Sequence, residues 1–148
     1  FGFLGVRVAR SISVFFGGGM VTDSEGRQVE DTVFAKHAKW MNYCGPVSGR
    51  EKPVIEGITY YDHPDNAGYP SAWHVRDDGW MCCSTCMEAS LIVAPEQPLR
   101  LRYLIRAHAG SVHHPTAENA ARLFSRLSAW EVVPSQRPHT ANEIRRQG

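Results

Sequence analysis

The chain lacks a long hydrophobic run. No apolar stretch approaches the roughly 20 residues that a membrane-spanning helix needs, so no membrane span is expected. It also lacks charge of one sign. Sixteen Lys and Arg oppose fifteen Asp and Glu, leaving a formal charge of +1. No long-range field follows, which disfavours a nucleic-acid or anionic-membrane partner. A secretory leader is not evident at the start, which alternates where a leader would carry a continuous apolar region. Internal repeats and low-complexity tracts are absent. Cysteine is scarce: Cys44, Cys82, Cys83 and Cys86 are the four present. Cys83 and Cys86 form a Cys-x-x-Cys, but a structural zinc site wants a second such knuckle or a His pair, and neither is found at ligand spacing. We read the thiols as small packing groups, with a disulfide or a metal site as the alternatives.

What is present suits a sheet. The 148 residues are 43% hydrophobic and 21% charged, with 13 Gly, 9 Pro, 4 Trp, 5 Tyr and 6 Phe. That is one domain's length, enough to bury roughly 70% of its unfolded surface. Leu4, Val6, Val8, Ile12, Val14 and Phe16 share one parity, the period of a half-buried strand. Gly17-Gly18-Gly19 ends it, Asp23-Ser24-Glu25-Gly26 is turn chemistry, and a short helix fits near 30–36. Residues 38–44 read as a strand with Ala38, Trp40 and Asn42 on one face. Residues 48–53 form a polar loop. Residues 54–62 are rich in Ile, Thr and Tyr and read as a strand. Two short strands or one fit 73–84, and another fits 87–93. Residues 99–108 alternate most clearly: Leu99, Leu101, Tyr103, Ile105 and Ala107 face one way, Arg100, Arg102, Arg106 and His108 the other. A helix follows over 116–129, with Thr116 as N-cap, Glu118 near the positive dipole end, and an apolar stripe of Ala117, Ala120, Ala121, Phe124 and Leu127. The expected fold is mainly β, an antiparallel β-sandwich with one C-terminal helix, spanning residues 1–133 as part of a larger sandwich. Residues 134–148 read as a flexible tail.

The chemistry concentrates in residues 60–80. Asp62-His63-Pro64, Tyr69, and Trp73-His74-Val75-Arg76 through Trp80 place two histidines, carboxylates, an arginine and aromatics on a loop at one sandwich end. His63 and His74 are candidate proton-transfer groups, and Arg76 a clamp for a polar substrate group. Asp62, Trp73 and Trp80 are candidate substrate-binding residues, joined by Trp40 and Asn42 from the preceding strand. The structural reading of the same residues is a turn capped by Asp62, a buried His74, a surface pairing of Arg76 with Asp77 or Asp78, and Trp40 in the core. His113-His114 reads as an exposed turn.

Several motifs carry a resemblance. Ala38 to Gly45 resembles a KWxDYSG signature. Gly57 to Pro64 with Trp73-His74-Val75-Arg76 resembles GIxxFDHPxNPRxPTxWHVR. Gly5 to Ala9, Gly18-Gly19 and Asp23 to Gly26 resemble its lead-in, and Leu101 to Gly110 its last strand. Together they resemble the bacterial family catalogued as "methane oxygenase PmoA-like", a domain of unknown function, over about 1–124. The name does not transfer as a function, since the methane monooxygenase subunit lies in a membrane and this chain shows no span.

The resemblance implies a soluble β-sandwich associated with sugar-processing proteins. It also implies members about twice this length, with a His-rich DHPHHR-like motif in a first half that has no counterpart here. On that reading the chain is the C-terminal part of a longer domain. Asn42 stands where the family favours Asp, Cys44 where Ser is common, and Met81 to Cys86 where small apolar residues are usual.

Three functions follow as expectations. The first is a carbohydrate-active enzyme acting on a sugar-like small molecule through the His/Arg/Trp loop, with no cofactor. The second is a non-catalytic interaction or structural half-domain, existing as a homo-oligomer or completed by the missing N-terminal half. The third is a metal enzyme with His63 and His74 among the ligands. Localisation is left open.

Overall fold

The structure is a computed structural model that describes residues 2–47 and 52–148. Among these, the chain forms nine strands, all paired antiparallel: β1 (Gly5–Arg7), β2 (Met20–Asp23), β3 (Trp40–Val47), β4 (Val54–Asp62), β5 (Trp73–Val75), β6 (Trp80–Cys83), β7 (Tyr103–Ala109), β8 (Trp130–Pro134) and β9 (Asn142–Arg146). Three helices accompany them: α1 (Val14–Gly17), α2 (Glu30–Val33) and α3 (His114–Ser125). The fold is mainly β, as the alternation predicts.

Strands β2-β3-β4-β7 form one sheet, β1-β6-β5 a second and β8-β9 a separate hairpin. The period-two rule sorts the residues of the larger sheet. Val21, Met41, Tyr43 and Tyr60 point inward, where they meet Trp73, Val75, Met81 and Cys83 of the three-stranded sheet in one buried cluster. Trp40 and Tyr61 point to the opposite face. There they pack with Ala117 and Phe124 of α3 in a second cluster. The molecule therefore stacks a three-stranded sheet, a four-stranded sheet and a helix. The middle sheet is covered on both sides, which explains why β3 is buried along Trp40 to Gly45 without alternation. No helix among the described residues is long and apolar enough to cross a membrane.

Four local expectations differ from what forms. The alternation over residues 4–16 yields a strand only at Gly5–Arg7. A 3-10 turn then spans Arg10–Ile12, and Ser13 caps α1 by accepting the Phe16 N–H at 3.2 Å. Gly18, with φ at 68°, closes α1 in the left-handed conformation. A local side-chain cap thus outweighs a parity pattern that extends beyond the buried Val8. Residues 87–93 form no strand; their apolar side chains, Ile92 most of all, are exposed. The N-cap of α3 is His113 rather than Thr116, because Pro115 is pre-organised for the first turn. The stripe Ala117, Ala120, Ala121 and Phe124 packs as expected, whereas Leu127 lies past the helix end and is exposed. Finally, residues 134–148, read as a tail, contribute β9, which pairs with β8 from Trp130↔Arg146 to Pro134↔Asn142. Of the expected polar loop at 48–53, residues 48–51 lie outside the described residues.

Candidate functional site: a cleft between the sheet and α3

The register of the four-stranded sheet builds the site. Cross-strand partners share a face. On the face toward α3, one row runs Thr22, Asn42, Thr59, Arg106 across all four strands. A neighbouring row runs Met20, Cys44, Gly57, His108, and a third runs Trp40, Tyr61, Leu104. A sheet face covered by a helix is ordinarily apolar, yet the first row is polar from edge to edge.

Asn42 is fully buried and organises this row. Its Nδ2 shares two hydrogens among three acceptors, Thr59 Oγ1 at 2.9 Å, His108 Nε2 at 2.7 Å and, at 3.2 Å, the Ile58 carbonyl. His108 reaches diagonally past Gly57, whose row position carries no side chain. A Cβ there would lie 2.6 Å from that of Cys44. The other ring nitrogen, Nδ1, lies 3.1 Å from the Gly110 carbonyl. A carbonyl only accepts, so the network assigns the proton to Nδ1 and leaves Nε2 as acceptor for Asn42. Asn42 Oδ1 and Thr22 Oγ1, in the same row, are buried with no partner among the described residues.

Beside them a cleft of about 130 Å³ opens between the sheet and the start of α3. Thr59, Tyr61, Arg106 and His108 line it from the sheet, His113 and Thr116 from the helix. Burial pushes the Tyr61 hydroxyl above its ordinary range, while hydrogen bonds with Thr59 and Arg106 and the guanidinium charge pull it back. His113 Nδ1 lies 2.9 Å from Thr116 Oγ1.

A clamp holds α3 in place over the sheet. Glu118 accepts from Trp40 Nε1 at 2.8 Å and from Lys39 Nζ at 3.0 Å. Burial raises its carboxyl, but these two hydrogen bonds outweigh burial and hold it below the usual range. The His114 ring meets the Trp40 ring edge-on at 5.2 Å, and His114 Nε2 lies 2.8 Å from the Ser24 carbonyl.

The residues singled out in the 60–80 segment occupy separate surroundings. His63 is 1% exposed, with its ring against Phe124 at 4.8 Å and its Nδ1 accepting the Asp65 N–H. Burial, followed by the Arg102 charge, lowers its pKa. Asp62 is buried and accepts from Asn66 Nδ2 at 2.7 Å and Ser71 N–H at 2.9 Å. Asn66 in turn exchanges hydrogen bonds with the backbone of Arg102. His74 projects from β5 against Phe34, ring centroids 5.5 Å apart, and burial lowers its pKa. Arg76 is largely exposed and pairs with Asp78 at 3.2 Å. Trp73 is in the inner core with its indole N–H on the Ala38 carbonyl at 2.8 Å. Trp80 lies across Gly5, where a Cβ would meet its ring at 2.2 Å. Trp40 and Asn42 alone of the set belong to the face that carries the cleft.

All four cysteines are free. Cys83 points into the core, its thiol pushed up by burial, and Cys82 points the opposite way beside His74. Among the described residues, no group of three or more His, Cys, Asp or Glu side chains is placed to hold a metal ion.

Tyr61, Arg106 and His108 escaped notice as site residues. The signal was available: period-two alternation in residues 54–62 and 99–108 puts Thr59 and Tyr61, or Arg106 and His108, on single faces. What the alternation alone does not supply is the pairing of those faces.

The fold and site define a two-sheet β-sandwich with a polar, helix-flanked cleft on its outer face. The chain belongs to a family of unknown function, DUF6807, whose model matches residues 1–125. That span includes all three sheet rows and α3, and it stops before the β8-β9 hairpin. No curated protein and no solved structure matches the chain.

Proposed function

We propose that the protein is a carbohydrate-active enzyme that binds a sugar-like, polyhydroxylated molecule in the cleft between the sheet and α3. The observation that carries this reading is the Tyr61 hydroxyl on the cleft wall, on the same sheet face as Thr59 and the Arg106 guanidinium. A phenol beside a guanidinium can donate and recover a proton, the cation offsetting part of the burial that holds the phenol protonated. Tyr61 is the proton-transfer group on the sheet side and His113 its counterpart on the helix side. Thr59 and Thr116 supply hydroxyls that match those of a sugar. His108, engaged at both ring nitrogens, is a positioning residue that holds Asn42 and the floor. The motif resemblance to the PmoA-like family points toward sugar chemistry as well, and we retain it as part of the proposal.

The test is a panel of monosaccharides and sugar acids, screened by ligand-observed NMR and by product formation. Tyr61→Phe is expected to keep binding and to lose turnover by about 10²–10⁴-fold. Turnover unchanged in Tyr61→Phe removes the mechanism.

A second reading has its own observation. Phe3, Leu4, Phe34, Leu91, Ile92 and Val93 are exposed large apolar residues. They favour an interaction module that associates with another copy or another protein. Sedimentation velocity across a dilution series separates the two: self-association with no sugar binding supports the module.

A further inference from the structure

We infer that α3 is a proton-gated cover: protonation of His63 beneath it loosens its C-terminal end from the sheet and opens the cleft. Such gating rests on the reading of the cleft given above for its consequence, access of a sugar-like molecule to the sheet face.

The first observation is how α3 is held. A twelve-residue helix is marginal in water by itself, so its contacts decide whether it stays. Its buried side chains are Ala117 and Phe124. At its front, Glu118 accepts from Trp40 and Lys39, and His114 reaches the Ser24 carbonyl. At its rear, Phe124 packs edge-on against His63 with ring centroids 4.8 Å apart. Just past its end, the Leu127 carbonyl accepts from Arg102 Nη2. Both rear ties therefore lead to one pair of side chains, His63 and Arg102.

The second observation is what that pair does with a proton. His63 is buried, and its Nδ1 accepts the Asp65 N–H at 3.1 Å. Arg102 Nη1, another donor, lies 3.5 Å from the same nitrogen. Neutral His63 therefore carries its proton on Nε2, and a second proton has to enter at Nδ1, where it faces two donors. The charged groups around the ring are Arg102 ahead of β7, Asp65 on the loop and Asp62 at the end of β4, while α3 presents the Phe124 ring and carbonyl. The Asp65 carboxylate lies 3.4 Å from Nδ1, but it is largely exposed and already pairs with Arg102 at 2.8 Å. Asp62 is engaged by Asn66 and Ser71. Burial and then the Arg102 charge outweigh both acids, so the docked ring resists protonation.

The consequence is a competition between the proton and the helix. A protonated His63 under docked α3 stands beside the Arg102 guanidinium, and the repulsion falls on the donor that ties down Leu127. With Phe124 lifted, water reaches the ring, and His63 regains its ordinary proton affinity, near pH 6.5 by the value of about 6.5 for free histidine. Release takes up a proton, so acidification below that value favours it. Glu118, held below the usual carboxylate range by Lys39 and Trp40 against its burial, keeps its charge and retains the front of the helix. The opening bares Trp40 and Tyr61, which α3 covers, and moves Thr116 and Ala117 of the cleft wall.

The experiment is amide hydrogen exchange of the full chain at pH 7.5 and at pH 5.5. Each rate is divided by that of an unstructured chain at the same pH. On acidification, residues 120–125 are expected to lose at least about fivefold more protection than β3 and β4. His63→Gln and His63→Leu, neither of which titrates, are each expected to abolish the difference. Gln keeps an acceptor for the Asp65 N–H and Leu an apolar surface for Phe124, so one folded variant of the two suffices. Equal losses in α3 and the two strands overturn the inference, and so does an unchanged difference in a folded His63 variant. No sugar enters the measurement, so failure here leaves the proposed cleft standing. A sugar screen without binding leaves the release of α3 standing and removes its consequence.

Discussion

Asn42 on β3 donates an amide hydrogen to Nε2 of His108 on β7 across 2.7 Å, although β4 lies between their strands. The bond spans a whole strand because the intervening row position is Gly57. It links the centre of the sheet to its β7 edge at the floor of the cleft, and it fixes which nitrogen of His108 carries the proton.

That assignment is measurable. Neutral His108 is expected to be the Nδ1–H tautomer, reported by the ¹⁵N shifts of its ring in a long-range correlation spectrum. Asn42→Leu removes the donor to His108 Nε2 and one donor to the Thr59 hydroxyl. A loss of about 1–3 kcal/mol in urea denaturation is expected. The Nε2–H tautomer in the parent protein would contradict the network.

The clamp on α3 gives a second expectation. Glu118→Ala strands the indole N–H of Trp40, a residue with no exposed surface, and is expected to cost about 1–3 kcal/mol. Glu118→Gln keeps an oxygen for Trp40 while losing the charge toward Lys39, and is expected to cost less. Equal losses in the two variants would show that the ion pair, rather than the indole bond, holds the helix.

Stability should also depend on pH through the buried His63 and the half-buried His74. His63 has a folded pKa below its ordinary value near 6.5, and so has His74. Above that value both states are neutral and stability is complete. As pH falls below about 6.5 the unfolded chain takes up protons that the folded chain refuses, and stability is lost. His37 opposes this. Hydrogen bonds to the Pro70 carbonyl and Glu88 raise its pKa, so its contribution is present in acid and lost on raising the pH. In a His37→Gln background the urea midpoint is therefore expected to fall more steeply between pH 7 and pH 5. Further replacement of His63 by Leu should flatten that slope.

Val29 precedes α2 with φ at 65° and ψ at 150°, a conformation that a β-branched residue adopts only under strain. It is also 56% exposed, so little packing is lost on truncation. Val29→Gly is expected to stabilise the fold by about 1 kcal/mol, read as a raised denaturation midpoint.

The sheet was legible in the sequence where one face is wet or where the strand is long. Residues 54–62 form β4 as expected, and the alternation from Tyr103 onward forms β7. It was less legible where capping decides. Ser13 turns an alternating run into a helix, and Pro115 moves the start of α3. The hairpin at Trp130–Pro134 and Asn142–Arg146 carries its apolar residues Trp130, Val132 and Ile144 exposed, so it imitates a tail in composition.

The candidate site divides the same way. Asn42 and Trp40 were visible because they stand in a strand that is buried on both sides. Arg106 and His108 read as a solvated face, because nothing in their own segment reveals that β4 and α3 come beside them. Conversely, the chemically dense 60–80 segment owes much of its density to structure: Asp62, Asn66 and Ser71 knit a loop, and Trp73 fills the core. A catalytic cluster and a well-satisfied loop have the same composition, and only the partners separate them.

The central claim is that ligands bind on the face of the sheet beneath α3. The most direct test is a two-dimensional amide spectrum of ¹⁵N-labelled protein, followed during titration with glucuronate. The account predicts shift changes centred on Thr59, Tyr61, Arg106, His108 and Thr116. Changes centred instead on His63, His74 and Arg76, with the sheet–helix cleft silent, would contradict it.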